Sequence, residues 1–203
     1  MTNPLPLEIL RMGVVDFYER VRDTPWGGGS ITAVHWHHTY RPNHADFAAQ
    51  GGEKLVRAMY RFHTATRGWR HMGQHVTIDA DGWVWLGRPW ALAPASAVGN
   101  NGRDFGPRPF MFEMIGDFRN GKDALTGAQL DAALLVTAII QRRFGLSPAA
   151  LMFHKHMQPT ECPGDLDKDR MVEGVRAMHG VLEDNMIAAE ETYAPLRSAP
   201  GIA

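Results

Sequence analysis

The chain has 203 residues, of which 44% are hydrophobic and 21% charged, and its formal net charge is −1 with a pI near 6.8. This length suffices for one domain with a buried core, and the balanced charge excludes the basic surface that nucleic-acid binding requires. The single cysteine, Cys162, excludes an internal disulfide. Because residues 1–13 lack a signal-peptide pattern and no apolar run could span a membrane, we expect synthesis in the cytoplasm. We also expect a monomer.

The first thirty residues predict an amphipathic arm that precedes the main domain. Their apolar side chains recur at three- and four-residue spacing, at Leu7, Leu10, Val14, Phe17 and Val21. The following segment TPWGGGS contains three consecutive glycines, which interrupt a helix. We therefore predict a helical arm and linker over residues 1–29, the main domain over 30–182, and a tail over 183–203 that is ordered only if it docks.

The stretch ITAVHWHHT, residues 31–39, alternates as a half-buried strand does, and it carries three of the ten histidines. The alternation places His35 and His37 on one face, together with Ile31, Ala33 and Thr39. His38 then points to the opposite face, where packing or hydrogen bonding is its expected role. His44 follows in a segment that we expect to be surface loop.

Further elements follow in chain order. Helical spacing predicts a helix over residues 46–67, and HVTIDADGWVWLGR predicts two strands joined at the Asp81-Gly82 turn. The apolar run PFMFEMIGDF, residues 109–118, predicts a further strand in the middle of a sheet of about four strands. Together these elements predict one α/β or α+β domain.

Two helices are predicted in the last third of the chain. Thr126 and Gln129 have the spacing of a capping box ahead of a largely apolar helix that ends at Gly145. A last helix is predicted from about Asp165 to His179.

A second histidine cluster lies in FHKHMQPTECPG, where His154 stands eight residues before Cys162. One imidazole and one thiolate at this spacing can converge on a zinc ion, and a catalytic zinc typically has three protein ligands and one open position. His37 and His35 are the candidates for the third ligand. Spacing alone leaves a second interpretation open, in which the histidines are satisfied by backbone partners and the cysteine is a buried structural residue.

Four segments, in order, resemble the successive motifs of the zinc-dependent N-acetylmuramoyl-L-alanine amidases of the type 2 family: ITAVHWHHT, GWRHMGQHVTIDADGWVWLGRPW, FMFEMIGDF and HKHMQPTECPG. The resemblance spans residues 30–180. This family includes phage endolysins and peptidoglycan recognition proteins. The resemblance implies a central mixed β-sheet flanked by helices, and hydrolysis, by a zinc-activated water, of the amide between N-acetylmuramic acid and L-alanine in peptidoglycan. It further implies an endolysin that acts on the bacterial wall after release.

The resemblance also implies roles for single residues. Carried over position by position, it gives His37, His154 and Cys162 as zinc ligands, with His35 as the alternative first ligand. Cys162 is then a thiolate ligand and not a nucleophile. Thr160, two residues before the cysteine, would hydrogen-bond the oxyanion.

The general base is left open by the resemblance. Gln74 stands where many family members have a tyrosine or a glutamate, and an amide can orient a water or donate to an oxyanion but cannot act as a base. Either a zinc-bound hydroxide needs little help, or Glu161, His156 or another nearby group takes the proton.

Substrate contacts are expected at two places. Asn101 lies in GNNGRDFGP, which resembles a substrate loop of the family, although Ser96 stands where the family often has a histidine. Sugar rings stack on aromatic side chains, and of Trp83, Trp85 and Trp90 we expect at most one, Trp85, to contact the glycan.

Two alternative functions are separable from the amidase. A recognition module would hold peptidoglycan without cleaving it, but retention of the cysteine ligand favours a working site. A Cys-His peptidase would use Cys162 as nucleophile with His154 or His156, and thiol alkylation, but not chelation, would inhibit it.

Overall fold

The computed structural model describes residues 9–26 and 29–197, with side chains described up to residue 183. Its centre is one six-stranded mixed sheet, in the order β1-β4-β3-β5-β2-β6. Strands β3, β5, β2 and β6 run parallel, whereas β4 is antiparallel to β3 and to β1. The strands are β1 (Arg11–Met12), β2 (Ile31–His38), β3 (Val76–Ile78), β4 (Val84–Leu86), β5 (Arg108–Met114) and β6 (Leu151–Phe153). The predicted mixed sheet is confirmed, and two short strands are added to the four expected.

Five α-helices flank the sheet: α1 (Val14–Asp23), α2 (His44–Gln50), α3 (Gly52–Arg61), α4 (Gly127–Arg143) and α5 (Lys168–Arg197). The single helix predicted over residues 46–67 is divided at Gly51. This residue has φ 75°, which ends α2 and which a residue with a Cβ rarely adopts. A π-helical turn, Phe62–Thr66, follows α3.

The main hydrophobic core lies between one face of the sheet and helices α1, α4 and α5. Trp36 on β2 is fully buried there, and its indole Nε1 donates a hydrogen bond of 2.8 Å to Thr137 on α4. Phe17 and Val21 of α1 belong to the same core. The described part of the predicted arm, residues 9–26, therefore shares its core with the main domain. Leu7 and the residues before it lie outside the described part of the chain.

Gln129 has a different role from the predicted one. Thr126 precedes α4 but makes no side-chain capping bond, so the predicted capping box is wrong. Gln129 is buried instead, and its amide donates to the backbone oxygens of Ile115 and Ile78. Its Oε1 lies 2.9 Å from Nε2 of His44, which starts α2 and is not the surface loop residue that was expected.

His35 and His37 lie on the face of the sheet opposite the main core, and they share that face as predicted. His37 on β2 lies beside Glu113 on β5, and Glu113 lies beside Thr77 on β3. The predicted alternation fails at the start of β2, because a register shift between Ile31 and Val34 puts Ile31 into the main core. From Val34 onward the alternation holds.

The carboxyl-terminal helix is longer than predicted. It begins at Lys168 and continues to Arg197, so residues 183–197 of the predicted tail are helical. Residues 198–203 lie outside the described chain. In the described ranges, no helix combines the length and the apolar character that crossing a membrane requires.

Candidate metal centre

Three side chains converge where β2 and β6 end. The two strands are parallel neighbours with Trp36 beside Phe153, so the next residues, His37 and His154, also become neighbours, and their ring centroids lie 4.5 Å apart. Cys162 joins them from the following loop, and one ligand atom of each residue lies within 4.8 Å of the others. Tetrahedral zinc with bonds of about 2.0–2.3 Å would bring such atoms roughly 3.5 Å apart, so a small contraction suffices.

His37 has the protonation state that a metal ligand needs. It is 2% exposed, and its Nε2 has no hydrogen-bond partner among the described residues. Burial, reinforced by the nearby His154, holds the pKa of His37 well below its usual value. Its imidazole is therefore neutral and keeps a lone pair available for a metal ion.

Gln158 determines which nitrogen of His154 is available to a metal. Nε2 of His154 lies 2.7 Å from the amide oxygen of Gln158, and the Gln158 amide nitrogen donates to the backbone oxygen of Val98, also at 2.7 Å. Because an amide oxygen only accepts, Nε2 of His154 must donate, which leaves Nδ1 with its lone pair. Metal-binding histidines commonly have such a partner on the second nitrogen.

Cys162 has the environment of a ligand. It is 9% exposed, and burial raises the pKa of its thiol to about 12 in the metal-free protein. The backbone N–H of His38 lies 3.3 Å from Sγ and donates to it, an interaction that strengthens once the sulfur carries a negative charge. A thiol with this pKa is a poor nucleophile at neutral pH, so the burial of Cys162 does not favour the Cys-His peptidase.

His35, the alternative first ligand, lies deeper in the sheet. It is beside Met111 and Met152 in the strand register, two residues before the row of His37 and Glu113. It is 4% exposed, and burial lowers its pKa to about 4. It does not belong to the converging group, so the geometry favours His37.

A cavity of about 300 Å³ opens above the three ligands. Thr160 lies in it, as predicted for an oxyanion contact, and its Oγ1 accepts a hydrogen bond of 3.3 Å from the backbone N–H of Cys162. Ser96 lines it as well. The lining residues are His37, His38, Tyr40, Ser96, Glu113, Arg119, His154, Thr160, Glu161 and Cys162.

Glu113 is a candidate catalytic residue that the sequence interpretation missed. It lies beside His37 in the strand register and faces the cavity, and desolvation there raises the pKa of its carboxyl group to about 7. The available signal was a single carboxylate within the apolar strand PFMFEM. A charged residue in a central strand is rare unless it has a specific role.

Gln74 does not line this cavity. It is fully buried, its Nε2 donates a hydrogen bond of 2.9 Å to Thr77, and its Oε1 has no partner among the described residues. The Gln74 amide therefore contacts Thr77 on β3, the residue that lies beside Glu113 in the strand register. The structure therefore gives no support for the predicted direct catalytic role of Gln74.

The two predicted substrate contacts, Asn101 and Trp85, are also not among the residues that line this cavity. Asn101 accepts a hydrogen bond from the N–H of Ala97 and so stabilises its own loop. Trp85 is 5% exposed and donates to Asp79 at 2.7 Å. It lines a separate groove of about 850 Å³ that also includes residues of α3 and β1.

The two remaining candidates for the base differ in position. Glu161 lines the cavity, but its side chain is 77% exposed and pairs with Arg119. His156 stacks on Phe153 and is not among the residues that line the cavity. Glu113 lies beside the ligand His37 in the strand register, and burial raises the pKa of its carboxyl group.

The mixed sheet with flanking helices and the His-His-Cys cluster define the class as an α/β protein with a candidate catalytic metal centre. The family model described as N-acetylmuramoyl-L-alanine amidase matches residues 27–165, which is more than half of the chain. The chain therefore belongs to the type 2 N-acetylmuramoyl-L-alanine amidase family.

Similar proteins include amidases and recognition proteins. An N-acetylmuramoyl-L-alanine amidase of Sus scrofa is 32% identical over 141 residues, which are 64% of this chain but 21% of that protein. A mutant of Drosophila PGRP-LB, solved in complex with tracheal cytotoxin, is 30% identical with a TM-score of 0.57 and covers 68% of this chain and 77% of its own. The amidase LysC of Clostridium intestinale has the same fold, with a TM-score of 0.57 at 23% identity over 74% of this chain and 88% of its own.

Proposed function

We propose that this protein is a zinc-dependent peptidoglycan amidase that hydrolyses the bond between N-acetylmuramic acid and the L-alanine of the stem peptide. The observation that carries the proposal is the convergence of His37, His154 and Cys162 within 4.8 Å, beside the partly buried carboxylate of Glu113. The family membership and the name of the Sus scrofa relative support the same reaction. Synthesis in the cytoplasm and an endolysin role stay predictions.

The residues present fit a zinc ion. Two imidazoles and one thiolate are a common ligand set for catalytic zinc, and the unpartnered Nε2 of His37 and the Gln158 contact of His154 support binding of a cation. Bound zinc would polarise the scissile carbonyl group and lower the pKa of a water molecule. The N–H of His38 supports the negative charge on the Cys162 sulfur.

Glu113 is assigned the proton transfers. Its carboxylate accepts a proton from the attacking water and delivers it to the nitrogen of the leaving L-alanine. A pKa of about 7 suits both steps, because a group that titrates near the working pH can accept and release a proton readily. This assignment fills the role of general base that the sequence left open, since Gln74 cannot accept a proton.

Thr160 is assigned to the oxyanion. Its Oγ1 already accepts the N–H of Cys162, so its own hydroxyl hydrogen is free to point into the cavity. A donor that is fixed before the reaction stabilises the negative charge as it develops on the carbonyl oxygen.

A second candidate function is peptidoglycan recognition without cleavage. The complex of the PGRP-LB mutant with tracheal cytotoxin supports binding of a wall fragment by this fold. The full ligand set and the adjacent glutamate favour hydrolysis, since binding alone requires neither.

The test is digestion of purified peptidoglycan by the protein as prepared, after chelation, and after zinc is restored. The expected result is new amino-terminal alanine in the first and third reactions and almost none in the second. Absence of new alanine throughout would leave recognition as the function. Release that chelation does not affect would contradict the zinc mechanism.

A further inference from the structure

One arginine lines the cavity that holds the metal ligands. Arg119 follows β5, and it shares this cavity with Tyr40, Thr160 and Glu161. None of the catalytic roles proposed above uses it. A guanidinium beside a candidate peptide-cleaving centre is a binding group for a carboxylate.

The guanidinium of Arg119 is held in a fixed plane. Its Nε and Nη2 donate to the two carboxylate oxygens of Asp117, at 2.8 and 2.9 Å. Its carbon lies 4.4 Å from the centre of the Tyr40 ring, which supports one face. Asp117 is itself buried and accepts no proton at neutral pH, since the Arg119 hydrogen bonds hold its pKa below the usual value. A group oriented in this way loses little freedom when a ligand binds.

The remaining nitrogen of the guanidinium, Nη1, contacts Glu161, a partner that a ligand can displace. Nη1 donates to Glu161 at 3.1 Å, and the Glu161 side chain is 77% exposed whereas that of Arg119 is 28% exposed. Exposed ion pairs contribute little free energy. A substrate carboxylate can therefore displace Glu161 at Nη1 while Asp117 keeps the guanidinium in place.

Arg119 lines the same cavity as the metal ligands, so the carboxylate that it binds belongs to one of the first residues of the stem peptide. Glu161 directly precedes the ligand Cys162, so their Cα atoms are about 3.8 Å apart, and Arg119 contacts the Glu161 side chain. An extended peptide advances about 3.5 Å per residue, so the second residue of a stem peptide lies about 7 Å from the scissile amide. That residue is a D-glutamate with a free α-carboxylate in some bacterial walls and its α-amide, D-isoglutamine, in others.

We propose that Arg119 is a specificity-determining residue, which binds the free α-carboxylate of the second stem residue and so favours walls in which that group is not amidated. The proposal rests on the proposed function, because it describes the peptide that the amidase accepts. Glu161 occupies the position of this carboxylate when no substrate is present. The amidated peptide is neutral at this position, so it does not displace Glu161 from Arg119.

The experiment compares two muramyl tripeptides that differ only in whether the second residue has a free or an amidated α-carboxyl group. The quantity measured is the ratio of the two kcat/KM values, with zinc content recorded for each variant. The natural protein is expected to prefer the free acid by about tenfold, which corresponds to one charge-assisted contact. Arg119→Gln is expected to bring the ratio close to one, mainly through the KM of the acid.

Two further variants keep the proposal testable. Glu161→Gln removes the competing carboxylate and is expected to raise the ratio two- to threefold, even if Arg119→Gln loses zinc or folds poorly. Arg57→Gln is the matched control, because Arg57 pairs with Glu53 on α3, away from the ligands, and the ratio should stay unchanged.

A ratio near one in the natural protein, or a ratio that survives Arg119→Gln, would overturn the proposal while leaving the amidase intact. An equal loss with both peptides would do the same, since it indicates that Arg119 only holds the Cys162 loop. Cleavage of neither peptide by the natural protein would instead count against the proposed function.

Discussion

Two concave regions of this protein differ in size and in whether their polar groups have protein partners. The larger groove, about 850 Å³, contains polar side chains that have protein partners: Asp79 accepts a hydrogen bond from Trp85, and Arg57 pairs with Glu53. The smaller cavity, about 300 Å³, contains groups that protein partners leave incomplete, namely the Nε2 of His37 and the desolvated carboxyl group of Glu113. Unsatisfied, perturbed groups therefore identify the candidate site better than volume does.

The largest expected effect is loss of the metal. His37→Ala is expected to abolish zinc binding and to lower amidase activity by at least about a thousandfold, because two ligands hold zinc poorly and the metal supplies most of the catalysis. His35→Ala is the matched control, since His35 lies on the same face but outside the ligand group. Zinc content per folded chain distinguishes the two variants. Loss of zinc in His35→Ala with retention in His37→Ala would make His35 the first ligand.

The second prediction compares two buried carboxylates, one in each region. Burial raises the pKa of both Glu113 and Asp79. Glu113→Gln should lower kcat by about a hundredfold or more without loss of zinc, because the amide cannot accept the proton. Asp79→Asn should weaken folding, since Asp79 holds the β3–β4 turn, but leave kcat per folded molecule unchanged. Equal kcat values for the two variants would remove Glu113 from the mechanism.

A third prediction concerns the tautomer of His154. Gln158→Leu removes the acceptor for Nε2, so zinc affinity should fall by about 10- to 100-fold. Competition with a chromophoric chelator measures the affinity directly. Gln50→Leu, in the larger groove, is the control and should leave the affinity unchanged. Unaltered affinity in both variants would show that His154 needs no partner.

The smallest effect on catalysis is expected in the larger groove. Trp85→Phe removes the donor to Asp79 and should lower the free energy of unfolding by about 1–3 kcal/mol, because a buried carboxylate loses a hydrogen bond. Turnover of a soluble muramyl peptide should change less than twofold. Denaturant unfolding and initial rates measure the two quantities. A large rise in KM would instead support the predicted glycan contact of Trp85.

The sequence predicted those parts of the site that depend on local patterns. Strand alternation placed His35 and His37 on one face, and the motif HKHMQPTECPG supplied His154 and Cys162. Glu113 was missed because its importance depends on the pairing of β2 with β5, strands about 75 residues apart in the chain. The local signal, one carboxylate in an apolar strand, does not show which residue of another strand lies beside it.

The errors in the fold have the same origin. Strands β1 and β6, of two and three residues, are too short to show alternation, and they form because longer neighbours pair with them. Gln129 has the spacing of a capping residue, but its buried amide donates instead to the backbone oxygens of Ile78 and Ile115. In each case the structure depends on contacts with residues that are distant in the sequence.

The central claim is tested most directly by titrating zinc into metal-free protein while measuring new amino-terminal alanine released from peptidoglycan. The account predicts no release without metal, a rise in proportion to added zinc, and a plateau at one ion per chain. Full activity in the metal-free protein, or no activity at any zinc concentration, would contradict it.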